Sequence, residues 1–535
     1  MNDSLAWFAA SGSIALVVAV IARQVGIGFA LPVMVVGAVV GSLPVGPNAP
    51  LHPEIALLAV LAPLVFGEAL GSSYLDIRRV SRPVLALAVG LVVVTTVTIG
   101  LVVSWAASVP LALGFALGAI LAPTDAVAVA TIARKAALPR RLVSILEGES
   151  LVNDGTGLTA LRVAVIAGTA GSVTLLQVGV VLLLSIVCGL LVGLVGGWAL
   201  ARVMAASRDV VAANALLLIA PFVIYLVAEH LQGSGILAVV IAALYAAHAQ
   251  TSDPRQTGRL QSGIVWRQVT FILQALAFFL VGLEIPDTFR RLRVDQVPLV
   301  LVVIVAVVLL LILTRMAFIM VSVRVGPSWR AARDYRLAFL AGWAGARGPV
   351  SGMAALSIPV TLEGGTFNDY RDVLLATTFG VIVVTMLLAQ TLGPMARWLG
   401  VRPDDDRASI ARINAALAHA ALRQLEEAEQ AAAMSGRPIP DDVVRPLQAQ
   451  VESRLEAVRV LDDAQEEAAS APGSGQPDAT ALRRLAIELA MLMVRAEQEE
   501  LVRMRDEEGI PDAIVRPMLA ALDARLQGLL AGQGG

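Results

Sequence analysis

Within the stretch "ESLVNDGTG", from Glu149 to Gly157, two carboxylates, a hydroxyl and an amide interrupt an otherwise apolar run. At 100° per residue, Glu149, Ser150, Asn153 and Asp154 fall within about 140° of one another on a helix and so face one neighbour. Such oxygens are hard ligands of the kind a small cation accepts in place of water, and a carboxylate among them can hold a proton instead. Other polar residues punctuate apolar segments in the same half of the chain and beyond. They are Glu68 in "PLVFGEALG", Thr124 and Asp125 after Pro123 in "APTDAVAVA", Arg315 in "LTRMAF", and Arg347 in "WAGARGPVS".

The elements that must position these groups are transmembrane helices. Of the 535 residues 57% are apolar and 15% charged, and mean hydropathy is +0.78. Blocks such as "LVVIVAVVLLLILTRMAFIMV" and "VLLLSIVCGLLVGLVGGWALA" exceed the roughly 20 apolar residues a helix needs to cross the hydrocarbon. The composition predicts an all-α polytopic membrane protein with about thirteen spans between residues 1 and 400. In the bilayer an ionisable group costs roughly 2.5–3.5 kcal/mol on insertion scales, so those that persist face a cavity, pair, or handle ions. The N-terminus lacks a basic region and a cleavage site and reads as the first span. With the N-terminus outside, the inner loops carry Arg23, Arg78, Arg79, Arg82, Arg134, Lys135, Arg140, Arg141, Arg202, Arg208, Arg255, Arg259, Arg267, Arg324, Arg330, Arg333 and Arg336, whereas the outer loops hold Arg290, Arg291, Arg293 and Arg371. This bias sets the orientation by the positive-inside rule and places the C-terminal tail in the cytoplasm.

The spans containing Pro123 and Pro349 both have proline and glycine in mid-membrane. Unwound helices at corresponding positions of two halves point to a transporter built of inverted repeats with a midplane site. The single cysteine, Cys188, excludes an intrachain disulfide, and the four scattered histidines argue against a metal centre. No nucleophile–base pair or histidine–metal cluster marks an enzyme, and no cofactor or nucleic acid partner is indicated.

From about residue 401 the chain becomes acidic and alanine-rich, with 15 arginines against 24 acids. "IPDDVVRPLQAQVESRL" (439–455) and "IPDAIVRPMLAALDARL" (510–526) match at nine of seventeen positions with an offset of 71. The repeat predicts a soluble tail, 401–535, of two tandem helical hairpins, about 407–469 and 478–535, joined by "SAPGSGQP". Proline and Asp near the start of each second helix suit a helix N-terminus.

"APTDAVAVA", "EGESLVNDGTG" and "WAGARGPVS", in this order and at these separations, resemble the signature motifs of the monovalent cation:proton antiporters of the NhaP and NHE type. The resemblance covers residues 5 to 399. It implies that Asp154 is the carboxylate that binds Na+ and H+ in turn, with Asn153 its amide neighbour. It also implies side-chain oxygens from Ser150 and from Thr124 beside Asp125, a structural ion pair of Glu149 with Arg315, and Arg347 balancing charge in the unwound region. Glu68 is either an ion ligand or a structural acid, because Gly67 separates it from Phe66 where many members have Phe-Glu. Asn153 in place of a second acid implies electroneutral exchange of one cation for one proton.

The expected activity is thus Na+/H+ antiport across the plasma membrane, with K+ and Li+ as alternative cations, in a homodimer that serves cytoplasmic pH and sodium homeostasis. Competing readings are a cation channel lined by the same oxygens and an ion or pH sensor acting through the tail. Arg162, two turns beyond Asp154, receives no role.

Overall fold

The computed structural model describes residues 2–43, 57–125, 138–170, 175–207, 209–252, 259–325, 335–358, 370–401, 407–436, 438–460 and 479–531. Outside them lie the "SAPGSGQP" linker and the loop residues Arg134, Lys135, Arg208, Arg255, Arg330 and Arg333. Among the described residues the regular structure is helical, with no strand. The chain divides into two units, one of Met1–His248 with Ile264–Asp404, the other of Ala249–Gly263 with Asp405–Gly535.

The first unit begins with α1 (Asn2–Gln24), α2 (Ala30–Ser42) and α3 (Ala62–Gly71). Next come α4 (Val92–Ala107), α5 (Leu111–Leu121) and α6 (Arg140–Ala170), then α7 (Leu175–Ala206), α8 (Val210–His230) and α9 (Gly235–Ser252). It continues with α10 (Arg259–Arg291), whose residues up to Gly263 fall in the second unit, and with α11 (Val297–Val325), α12 (Tyr335–Trp343), α13 (Pro349–Leu356) and α14 (Arg371–Ala389). Six helical segments among the described residues are long and apolar enough to cross a membrane, including Gly179–Ala206 in α7 and Val294–Arg324 in α11. Shorter apolar helices such as Ala30–Ser42 and Leu111–Leu121 pack among them. On α11, Leu301, Val302, Val305, Leu309 and Leu313 remain exposed, as expected of a face whose solvent is lipid rather than water.

Lipid gives helices little hydrophobic reason to associate, so close backbone approach through small residues does much of the work. Glycine provides it where α2 crosses α10. A Cβ at Gly282 would lie 2.1 Å from the Met34 carbonyl oxygen, and one at Gly37 would lie 2.4 Å from that of Phe279. Because both obstacles are backbone, rotamer changes cannot relieve them. Gly282→Val should destabilise the protein by about 1–3 kcal/mol or more, as overpacking does; an unshifted thermal midpoint in detergent would contradict this crossing.

One helix ends and another breaks where the sequence places proline and glycine. Helix α5 stops at Leu121 ahead of Pro123, and α12 stops at Trp343. The chain then runs without regular structure from Ala344 to Gly348 until Pro349 opens α13, where proline's missing N–H removes nothing that a helix would use. The two irregular segments meet: Asp125 N donates to the Ala346 carbonyl at 2.9 Å. Helix α6 lies against the first break through Gly157, where a Cβ would fall 2.3 Å from Pro123 Cγ. The glycine that ends "NDGTG" therefore brings the polar stripe of α6 up to the unwound backbone.

The second unit contains α15 (Arg407–Met434), α16 (Asp441–Val460), α17 (Ala479–Glu507) and α18 (Asp512–Ala531). Helices α16 and α18 start at the Asp of each repeated "IPD". The two copies share their cores rather than standing apart. Ile413 and Leu417 of α15 pack with Val494 and Leu501 of α17 and Val515 of α18. Leu425 of α15 packs with Val444 and Val451 of α16 and with Leu489 and Met493 of α17.

Candidate cation-binding site

A narrow cleft opens where the end of α5 meets the α12–α13 break, lined by Glu68, Thr124, Asp125, Ser150 and Asp154. Pro123, Gly348, Pro349 and Ser351 from the breaks complete it, with Leu64 of α3 and Gln274 and Phe278 of α10. Among its described lining residues are three carboxylates and no basic side chain. Negative charge in a confined, partly dehydrated space favours a cation or a proton.

Thr124 is the hub that ties the unwound segment to α6. Its carbonyl accepts the Ser150 hydroxyl, its Oγ1 accepts from Asn153 Nδ2 at 3.0 Å, and the same hydroxyl donates to Glu149 Oε1 at 3.3 Å. Ser150 thus commits its proton to the backbone and keeps its oxygen lone pairs, which are what a cation needs. Asn153 does not line the cleft. It is fully buried, and among the described residues its Oδ1 has no hydrogen-bond partner. Only Asp154 of the Asn-Asp pair reaches the cleft, 5% exposed.

Glu149 turns away from the cleft toward α11. Its carboxylate receives both terminal nitrogens of Arg315, NH2 donating to Oε2 at 2.7 Å and NH1 to Oε1. Arg315 Nε donates to the Ala341 carbonyl at 2.9 Å, so the fork also holds the last turn of α12. Both side chains are buried, at 1% and 2% exposure.

Arg347 lies near that pair, with Arg315 on the other side of Gly345, and its guanidinium serves the backbone. Its Nε donates to the Leu121 carbonyl at the end of α5, 2.8 Å away, and NH1 donates to the Gly345 carbonyl. Its own backbone N–H donates to Thr385 Oγ1 at 3.2 Å. A cation thus sits where α5 exposes its negative end. Asp125 has the complementary position: a Cβ at Gly348 would lie 2.6 Å from Asp125 Oδ2, so the carboxylate rests at the positive N-terminal end of α13.

Residues 12–398 match the family model described as "Sodium/hydrogen exchanger, transmembrane". The chain belongs to the sodium/hydrogen exchanger family. A relative named as an uncharacterised Na+/H+ exchanger of Mycobacterium tuberculosis is 30% identical over 515 residues, covering 92% of this chain and 90% of the relative. A Bacillus subtilis relative, named as a sodium, potassium, lithium and rubidium/H+ antiporter, is 32% identical over 377 residues, which cover 67% of this chain and 56% of that one. The fold is similar to that of the sodium proton antiporter MjNhaP1 from Methanocaldococcus jannaschii, with a TM-score of 0.62 at 18% identity, covering 74% of this chain and 98% of that one.

In this exchanger Glu68 lines the cleft with Asp154, and Gly67 explains how it gets there. A Cβ on Gly67 would lie 2.2 Å from Thr270 Oγ1 and 2.9 Å from Trp266 Cε3, so the glycine lets α3 lie directly on α10. Phe66 packs on Trp266 with ring centroids 5.0 Å apart, and Glu68 Oε1 accepts from Gln274 Nε2 at 3.1 Å. Gln274 is the residue sequence reasoning missed. Its signal was an amide inside "FILQALAFFL", where an unpartnered amide would be costly.

Arg162 acquires a place away from the cleft. Its NH1 lies 3.4 Å from Glu229 Oε2, with 41% and 37% of the two side chains exposed. Glu229 Oε1 accepts from Gly235 N at 3.1 Å, so the pair links α6 to the ends of α8 and α9.

Proposed function

We propose that this exchanger is a secondary active antiporter of the plasma membrane, moving Na+ against H+ at the single carboxylate Asp154. The observation that carries the reading is the cleft itself, in which Asp154 faces the unwound Thr124–Asp125 segment with no basic side chain among the described lining residues. A carboxylate that holds a cation or a proton, but not both, is sufficient for exchange. Loading on one side and release on the other follow from rocking one helical bundle against another about a fixed midplane site.

Asn153 adds no second charge beside Asp154, which supports electroneutral exchange of one cation for one proton. The membrane part, about 1–400, is read as thirteen spans with the N-terminus outside. Helix α5 and the α12–α13 pair are corresponding members of two inverted halves, and residues 401–535 form a cytoplasmic tail. The exchanger then acts as a homodimer in cytoplasmic pH and sodium homeostasis. The cation range in the name of the Bacillus subtilis relative keeps K+ and Li+ as alternative cargo, since cleft oxygens suit all three.

Proteoliposomes with an internal pH dye test this directly. Pulses of Na+, Li+ and K+ should each move protons to the extent that the cation is cargo, and clamping the membrane potential at different values should leave the rate unchanged. Conductance without proton movement would mark a channel, and a rate that follows potential would overturn the electroneutral stoichiometry.

A further inference from the structure

The cleft has two walls of different origin. One is the Thr124–Asp125 segment with α6, where Thr124, Ser150 and Asn153 are fixed by hydrogen bonds to one another. The other is the α3–α10 pair, which presents Leu64 and Glu68 from α3 and Gln274 and Phe278 from α10. On this second wall the contact is a clasp. Trp266, Thr270 and Gln274 recur every four residues and so form one stripe of α10. Against that stripe α3 sets Phe66, Gly67 and Glu68 in turn.

Gln274 lies about 22 Å along α10 from its start at Arg259, which puts an amide near the middle of a hydrophobic span, 5% exposed. An amide there needs a partner, and its Nε2 finds Glu68 Oε1. The choice of donor matters chemically. A lysine or arginine at this position would form an ion pair and cancel the charge of Glu68, whereas a glutamine holds one carboxylate oxygen and leaves the negative charge available.

We propose that Gln274 is a positioning residue for cation binding: by holding Glu68 Oε1 it fixes the carboxylate so that Oε2 completes, from the α3–α10 wall, the cation's ligand shell opposite Asp154. This rests on the reading of the cleft as the transport site and adds how its second wall is set. Gln274 touches no cargo in this scheme. It acts through Glu68, and removing it should weaken cation capture while leaving the exchange step at Asp154 in place.

The test uses the full-length protein with two readouts, the Na+ dependence of proton flux in proteoliposomes and the Na+ concentration that half-maximally raises the thermal midpoint in detergent. The second reads site occupancy without transport. Gln274→Leu should raise the apparent KM for Na+ and the half-stabilising concentration by about tenfold, the size of one hydrogen bond to a charged group, with the maximal rate within about twofold. In a Glu68→Gln background the same substitution should shift neither readout further, since the group it positions is gone. A general packing role would instead give equal shifts in both backgrounds and would overturn the proposal, as would an unchanged half-stabilising concentration. Gln274→Met, closer in shape, repeats the measurement if the leucine variant does not fold. A wild-type protein that Na+ stabilises but that moves no protons would sink the antiport reading while leaving the Gln274 comparison decisive through stabilisation alone.

Discussion

Asp154→Asn should reduce cation-driven proton flux to that of protein-free liposomes while the protein still inserts, purifies and unfolds like the wild type. The substitution keeps the size of the side chain and removes only its charge and its ability to carry a proton. The packing of α6 rests on other residues, notably Gly157 against Pro123 and the hydrogen bonds of Ser150 and Asn153 to Thr124. Function and fold are therefore separable at this position. The measurement is dequenching of an internal pH dye after a Na+ pulse, with the thermal midpoint as the control. Exchange that survived in the asparagine variant would remove Asp154 from the centre of the mechanism.

Breaking the Glu149–Arg315 pair should have the opposite signature, with stability lost first and transport following. Each group is almost fully buried, and removing one partner of a buried pair leaves an uncompensated charge that costs about 3–5 kcal/mol. Arg315→Met and Glu149→Leu are each expected to lower the thermal midpoint sharply. The double variant should recover much of the loss, because replacing a whole buried pair by apolar groups of similar volume is often close to neutral. It should still exchange more slowly than the wild type, since Glu149 also accepts from Thr124 and its removal loosens the segment that forms one side of the cleft. Single variants as stable as the wild type would show that the pair is not a strut.

Much of this site could be read from residue types alone. Two carboxylates, a hydroxyl and an amide at i, i+1, i+4 and i+5 on a helix share a face whatever surrounds them, and a proline followed by polar residues in an apolar run forces a break. The Glu149–Arg315 partnership, by contrast, came from the resemblance to the antiporter motifs, since residue types alone name no partner for either group. Glu68 was ambiguous because its direction depends on how closely α3 approaches α10. That approach is set by Gly67 against Thr270 and Trp266, a contact some 200 positions away in the chain. Gln274 went unnoticed for the same reason: an isolated glutamine in a long helix has meaning only once its neighbour is known.

The tail shows a similar division. Its repeat announced two similar helical pairs, and α16 and α18 begin at the repeated Asp as their charge suits. That the pairs share two cores, with α15 packed on α17, was not written in either copy.

The sequence by itself determined what must be helical, where helices must break, and which few groups carry charge into an apolar interior, because helix periodicity, proline geometry and the cost of burying charge act locally. Only the tertiary structure decided which of these groups meet. It separated Asp154, which reaches the cleft, from its neighbour Asn153, which braces Thr124. It gave Arg347 to the end of α5 and Asp125 to the start of α13, and it brought Glu68 and Gln274 together across a glycine contact. Those outcomes depend on distances between helices, which are set by the packing of all the helices together.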